Sequence, residues 1–143
     1  MDMALDEARN AGAQGDVPVG AVIVAPEGEI LAKAGNAVER GRDPTAHAEM
    51  LALREAAARL GNWRLSRCVL VATLEPCAMC AAAIVHARLA GVVFGAADEA
   101  AGAVISRAEY LDGPACPTPV WHMGGVRAGA CADLLRQCFE GRR

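Results

Sequence analysis

Blocks of apolar and polar residues alternate along the 143-residue chain and predict helices and strands in turn. Leu5, Ala8 and Ala11 have the spacing of one helical face, whereas the almost continuous apolar run at 17–24 is typical of a strand covered on both faces. In order, the pattern predicts a helix over residues 2–13, a strand over 17–24, a tight turn over 25–28, a strand over 29–34, a polar loop over 35–45, a helix over 46–60, a strand over 68–73, a helix over 77–90 and a strand over 92–96.

The helix at 46–60 carries more specific expectations. Asp43 or Thr45 can cap its start, and Gly61 can end it. Its predicted apolar stripe comprises Met50, Leu53, Ala57 and Leu60.

Residues 97–125 show no clear pattern, and a last helix follows them. Its predicted apolar face comprises Cys131, Leu134, Leu135, Cys138 and Phe139. Strands that alternate with helices after an initial hairpin indicate a sheet with helices on its faces, mostly parallel beyond that hairpin.

Length and composition are those of one compact domain, which we assign to residues 1–143. Hydrophobic residues make up 54% of the chain, but no apolar run approaches the about 20 residues that span a bilayer. Residues 1–7 lack the basic and then apolar pattern of a secretory signal, so we expect a cytoplasmic protein without membrane contact. The net charge of −3 means that a polyanionic partner would need a local basic patch.

Two short motifs fall where the chain enters a helix, namely His-Ala-Glu at residues 47–49 and Pro-Cys-Ala-Met-Cys at residues 76–80. Cysteines three positions apart on a helix project from one face, so Cys77 and Cys80 can bind the same ion. His47 would supply a third ligand from the start of the other helix. Two thiolates and one imidazole leave the fourth tetrahedral position of Zn²⁺ open for water, which indicates a catalytic site with one Zn²⁺ per chain.

Glu49 lies two positions beyond His47 and points about 200° around the helix, so it can stand beside the metal without binding it. A carboxylate there can take a proton from zinc-bound water and deliver it to a ring nitrogen and then to a leaving amine. An activated water and a proton-transferring carboxylate are the groups that hydrolytic deamination of a nucleobase requires. His-x-Glu followed by Pro-Cys-x-x-Cys is the known signature of zinc nucleobase deaminases.

Each motif alone has a plainer interpretation. A lone C-x-x-C is often a redox pair or half of a structural metal site, and a lone His-x-Glu carries almost no information. Together they favour the catalytic zinc site, because a redox pair explains neither His47 nor Glu49. The remaining cysteines are expected to be buried or inert, namely Cys68, Cys116, Cys131 and Cys138.

At these residues the chain resembles the cytidine deaminase superfamily and, within it, the bacterial tRNA-specific adenosine deaminases. The resemblance covers nearly the whole chain and includes Gly-Asp-Val-Pro-Val-Gly-Ala-Val at 15–22, Asp-Pro-Thr-Ala-His-Ala-Glu at 43–49, Thr-Leu-Glu-Pro-Cys-Ala-Met-Cys at 73–80, Ile-Val-His-Ala-Arg at 84–88 and Val-Val-Phe-Gly-Ala at 92–96. It implies a three-layer α/β/α fold of the cytidine-deaminase type, with a central mixed five-stranded sheet and helices on both faces.

The same resemblance implies roles for individual residues. His47, Cys77 and Cys80 would hold Zn²⁺, with Glu49 as the catalytic proton shuttle. Asn36 would contact the flipped nucleoside, and we assign two neighbours of the motifs, Ala48 and Pro76, to substrate binding as well.

The family forms homodimers that bind the tRNA anticodon loop partly across the dimer. Candidates for RNA contact are His86, Phe139, Arg142 and Arg143. As bare sequence, Asn36 is equally a turn residue, and the histidine and arginines are equally solvated surface groups.

Three functions remain open from the sequence. The first is deamination of adenosine to inosine at the tRNA wobble position, with hydroxide attacking C6 of the purine. The second is deamination of a free nucleobase or nucleoside such as guanine, cytosine or an adenine derivative. Departures from the family pattern at 99–106 and 113–121, together with the acidic balance, favour this second function. The third is a catalytically idle zinc- or RNA-binding module, against which the intact Glu49 argues.

Overall fold

A computed structural model describes residues 1–142, in which helices cover both faces of one sheet. The elements in chain order are α1 (Asp2–Ala13), β1 (Gly20–Val24), β2 (Ile30–Gly35), α2 (Val38–Gly41), α3 (Ala48–Leu60), β3 (Val69–Leu74), α4 (Ala78–His86), β4 (Gly91–Ala96), β5 (Trp121–Met123) and α5 (Ala128–Gly141).

The sheet has five strands in the order β2-β1-β3-β4-β5. β1 pairs antiparallel with both β2 and β3, whereas β3, β4 and β5 run parallel to one another. α1 and α5 pack on one face, and α3 and α4 lie together on the other. The three-layer α/β/α architecture and the mixed five-stranded sheet are therefore confirmed.

The main core lies between the sheet and the α3–α4 layer. Its largest members are the fully buried Phe94, Ile23, Leu70 and Ile84. On the opposite face the helix α1 lies very close to the sheet, since a Cβ added to Gly20 would stand 1.9 Å from the carbonyl oxygen of Ala4. Burial of this apolar surface holds the three layers together.

The predicted apolar stripe of α3 is wrong in its details. The helix buries Ala48, Ala52, Leu53 and Ala56, whereas Leu60 is 47% exposed. Small side chains face the sheet because the helix lies close to β1 and β2, and the larger apolar residues turn outward. Leu53 alone belongs to both the predicted and the observed stripe.

The start of α3 also differs from the prediction. His47 is the residue before the helix, and no side chain caps the first turn. Asp43 instead accepts hydrogen bonds from the amide and the hydroxyl of Thr45, at 2.8 Å and 2.7 Å. Gly61 ends the helix in a left-handed conformation as predicted.

Other boundaries move by a few residues. α4 ends at His86 and not at residue 90, because Arg88 adopts a left-handed conformation (φ 63°) that turns the chain toward β4. β1 begins at Gly20, and the loop over 35–45 contains the short helix α2. In α5 only Cys131 of the predicted apolar face is fully buried, and Phe139 is 51% exposed.

The segment that gave no clear pattern contains the short edge strand β5. Within residues 1–142, the structure has no helix with the length and apolar character needed to span a membrane.

Candidate active site

Three predicted ligands converge at the starts of α3 and α4. The Nδ1 atom of His47 lies 3.6 Å from Sγ of Cys77 and 3.5 Å from Sγ of Cys80, and the three ligand atoms all lie within 4.8 Å of one another. With Zn–S bonds of about 2.3 Å and a Zn–N bond of about 2.0 Å, tetrahedral geometry requires an N···S edge of about 3.6 Å. The donor set and its spacing therefore fit Zn²⁺.

The position of each ligand follows from the local backbone. His47 and Cys77 are the residues immediately before α3 and α4, and both have extended backbone conformations. Cys80 follows within the first turn of α4, on the same side of the helix as Cys77. Both helices thus direct their amino ends, which carry partial positive charge, toward the thiolates.

The cluster also perturbs the protonation of its members. Hydrogen bonding with Cys80 lowers the pKa of Cys77 to about 4, and His47 adds to this effect against the opposing influence of burial. The same bond with Cys77, together with burial, raises the pKa of Cys80. The pKa of His47 is raised because its ring is hydrogen-bonded to Cys77. At least one sulfur is therefore a thiolate at neutral pH.

Glu49 lies in the first turn of α3 and is 4% exposed. Burial raises the pKa of its carboxyl group to about 7. A carboxyl group with a pKa near neutrality can both accept a proton and return it, which suits general acid–base chemistry.

A cavity of about 270 Å³ opens beside these groups. Its size is near the lower end of the about 300–1,000 Å³ that small-molecule sites occupy. Its lining combines apolar and acidic side chains and comprises Val17, Val19, Asn36, Val38, Glu39, His47, Ala48, Glu49, Leu74, Glu75, Cys77, Asp98 and Ala101. No lysine or arginine lines it among residues 1–142.

Two of the predicted substrate-binding residues line this cavity. Asn36 is 8% exposed, and its main-chain N–H donates a 2.9 Å hydrogen bond to the carbonyl of Val19. Ala48 is fully buried at the cavity wall. Pro76 does not line the cavity, but its carbonyl accepts a hydrogen bond from the amide of Ala103 at 2.8 Å.

The candidates for RNA contact lie elsewhere on the surface. His86 lines a separate groove between α3 and α4, and Phe139 projects from α5. Arg142 donates a 2.9 Å hydrogen bond to the carbonyl of Gly15 and lines a groove between α1 and α5. Arg143 lies outside the described residues.

Two buried carboxylates near the cavity were not predicted from the sequence. Asp16, fully buried, accepts a 2.8 Å hydrogen bond from the amide of Glu39 and so holds α2 at the cavity. Glu75, 1% exposed, follows β3 directly and accepts hydrogen bonds from the segment 98–106. For Glu75 the sequence did contain a signal. Its carboxylate stands between a buried strand and a metal-binding motif, where water is scarce and a charged group needs hydrogen-bond donors from the protein.

Comparisons with known proteins agree with this site. The chain is 52% identical over 114 residues to a tRNA-specific adenosine deaminase of Aquifex aeolicus, which covers 80% of this chain and 75% of that protein. A solved structure of a tRNA:A34 deaminase superposes with a TM-score of 0.91 at 41% identity, covering 94% of this chain and 97% of that one. Guanine deaminase from Nitrosomonas europaea gives a TM-score of 0.79 at 27% identity, covering 96% of this chain and 81% of that one.

A family model also matches the chain, and it describes a zinc-binding region. Residues 1–96 match the cytidine and deoxycytidylate deaminase zinc-binding region. This stretch contains His47, Glu49 and both metal-binding cysteines, which are the residues that converge beside the cavity. The chain belongs to the zinc-dependent cytidine and deoxycytidylate deaminase family.

Proposed function

We propose that this enzyme deaminates adenosine to inosine at the wobble position of tRNA. The observation that carries the proposal is the buried carboxyl group of Glu49, which shares one small cavity with the three grouped ligands. The choice of a tRNA substrate is supported by 52% identity to a tRNA-specific adenosine deaminase.

The chemistry divides between the ion and the protein. His47, Cys77 and Cys80 would hold Zn²⁺, and the chemistry the ion would supply is activation of a water molecule by lowering its pKa toward about 7. Glu49 takes one proton from the attacking water and delivers it to N1 of the purine ring. It then transfers the second proton of the water to the departing amino group, so that ammonia leaves and C6 becomes a carbonyl. Its pKa near 7 suits both directions of transfer.

The cavity walls suit a planar base presented without its phosphates. We propose that the Asn36 carboxamide hydrogen-bonds the nucleoside, while Ala48 contacts the base and Pro76 shapes the site through its bond to Ala103. A base from a single-stranded loop reaches such a cavity at a lower unstacking cost than a base from a duplex.

A free-base deaminase is the second candidate, and one observation favours it. The fold superposes closely on guanine deaminase from Nitrosomonas europaea, although at only 27% identity. The cavity is large enough for a single base. Ammonia release from free guanine in the absence of tRNA would identify this activity.

The deciding experiment uses zinc-loaded protein and a tRNA with adenosine at the wobble position. Inosine formation appears as an A-to-G change in reverse-transcribed sequence. We expect conversion by the wild type and a loss of about 10²–10⁴-fold in Glu49→Ala, because the proton shuttle is removed while the ligands remain. Absence of conversion by wild-type protein with bound zinc would refute the tRNA assignment.

We further propose that residues 1–143 act as one deaminase domain and that two copies associate. The groove between α3 and α4 supports association, because apolar side chains line it and Trp63 beside it is 54% exposed. For the RNA surface we propose α5 with Phe139 and the following Arg142 as contacts; Arg143, the third candidate from the sequence, lies outside the described residues. His86 lines the same groove. It can contact RNA in the dimer only if it lies at the edge of the dimer contact.

A further inference from the structure

Glu75 anchors the segment that follows β4. Its carboxylate accepts hydrogen bonds from the amides of Asp98, Val104, Ile105 and Ser106, at 3.0, 3.2, 2.7 and 2.9 Å. The hydroxyl of Ser106 donates a further, short hydrogen bond to it. Five donors from one segment therefore meet a single buried carboxylate.

The contacts leave the carboxylate little freedom. Glu75 is 1% exposed, and a Cβ added to Gly102 would stand 2.3 Å from its Cδ atom. Both carboxylate oxygens are occupied, since Oε1 accepts from three main-chain amides and Oε2 accepts from the amide of Asp98 and the hydroxyl of Ser106.

The anchored segment forms part of the cavity. Asp98 and Ala101 line it together with Glu75 itself. The main chain adds two links to the metal-binding motif, since Gly102 forms a β-bridge with Cys77 and the amide of Ala103 bonds to the carbonyl of Pro76. The same short stretch of chain therefore supports a metal ligand and one cavity wall.

We infer that Glu75 is a positioning residue for the deamination: it fixes residues 98–106 as the wall against which the substrate is held. This inference rests on the proposed function for its effect on turnover. The anchor itself is a property of the protein without substrate. We expect loss of the anchor to weaken substrate binding more than it slows the chemical step, because Glu49 and the three ligands lie outside residues 98–106, in or directly before α3 and α4.

Glu75→Gln tests the anchor, because the amide keeps the shape of the side chain but turns an NH₂ group toward backbone donors. Glu99→Gln, an exposed carboxylate of the same segment, is the matched control. In zinc-loaded protein without substrate, we expect amide hydrogen exchange at residues 104–106 to become about tenfold faster or more in Glu75→Gln only. Unchanged exchange would overturn the inference.

Kinetics on the tRNA substrate give the second readout. We expect KM to rise about tenfold in Glu75→Gln while kcat stays within about threefold and the zinc content is unchanged. A fall in kcat that parallels loss of zinc, with KM unchanged, would mean that Glu75 only stabilises the metal site and would overturn the positioning role. If the wild type leaves the tRNA unaltered, the proposed function fails, whereas the exchange measurement still decides the anchor.

Two milder variants keep the test open if Glu75→Gln does not fold. Ser106→Ala removes one donor and leaves the carboxylate, so a smaller change in the same direction is expected. Gly102→Ala forces a methyl group against the carboxylate and displaces the segment from the other side. Wild-type exchange and wild-type KM in both variants would contradict the inference.

Discussion

His47 and Cys77 share a position at the residue scale, since each is the last residue before a helix. The backbone is extended at both residues, and neither side chain is used to cap its helix, so both groups remain available at the amino ends of α3 and α4. Two short motifs are thereby brought to one point without any long loop. The polarised helix ends favour the thiolate form that a metal ion requires.

Removal of one thiolate should release the metal. We expect Cys77→Ala to lose zinc and deaminase activity together, because two protein ligands hold the ion far more weakly than three. Elemental analysis after gel filtration should give about one zinc per chain in the wild type. Cys116→Ala, a half-buried thiol outside the cluster, should keep both properties. Full activity in metal-free protein would contradict the mechanism.

The cysteines outside the cluster should differ in reactivity. Burial raises the pKa of Cys68 and of Cys131, so the reactive thiolate is scarce there. Alkylation by iodoacetamide at pH 8, followed by mass spectrometry of peptides, should modify Cys116 and Cys138 first. Equal alkylation rates at all four residues would show that the fold does not protect Cys68 and Cys131.

At the scale of elements, α1 meets the sheet through glycines. Gly20 and Gly35 lie side by side on β1 and β2, and a Cβ on either would press on the backbone of α1. The main chain of the helix thus lies against the main chain of the strands. This contact leaves no space for a side chain.

Gly20→Ala should therefore destabilise the protein strongly. The new methyl group would lie 1.9 Å from the carbonyl oxygen of Ala4, and we expect a loss of about 2 kcal/mol or more in the free energy of unfolding. Urea denaturation of the zinc-loaded protein measures it. Gly129→Ala on α5, where the added methyl group meets open space, should remain within about 1 kcal/mol of the wild type. Similar midpoints for the two variants would contradict the close contact.

Much of the element order was predictable because strand runs and motif residues are local signals. The ends of elements were less predictable: Asp43 bonds to Thr45 and leaves the first turn of α3 without a cap, and α4 stops where Arg88 turns left-handed. The alanine face of α3 was missed because hydrophobicity favours larger residues, whereas the close approach to the sheet favours small ones. The ligands were predictable from spacing, but the anchoring role of Glu75 was not, because its donors lie more than 20 residues away along the chain.

Charge is unevenly distributed at the scale of the whole molecule. The cavity is lined by four acidic side chains and by no lysine or arginine within residues 1–142, whereas Arg9 and Arg142 line the groove between α1 and α5. The net charge of −3 therefore does not describe every surface. The acidic lining favours phosphate contacts outside the cavity over contacts within it.

The association of two copies is testable by mass. Light scattering at micromolar concentration should give twice the 14.8 kDa of one chain. Trp63→Ser should shift the equilibrium toward single chains, because it removes the most exposed aromatic side chain beside the α3–α4 groove. Phe139→Ser, a comparably exposed aromatic residue on α5, should leave the mass unchanged. A wild-type mass of one chain would refute the dimer.

The anchor at Glu75 has a consequence for how this enzyme can be altered. Four of its five donors are main-chain amides. The hydrogen bonds that hold the segment therefore do not depend on most of the segment's side chains. Residues 99–101 bring none of these donors, and Ala101 faces the cavity. A library randomised at these three positions would vary the chemistry of the wall while the scaffold, the ion site and the proton shuttle stay as they are.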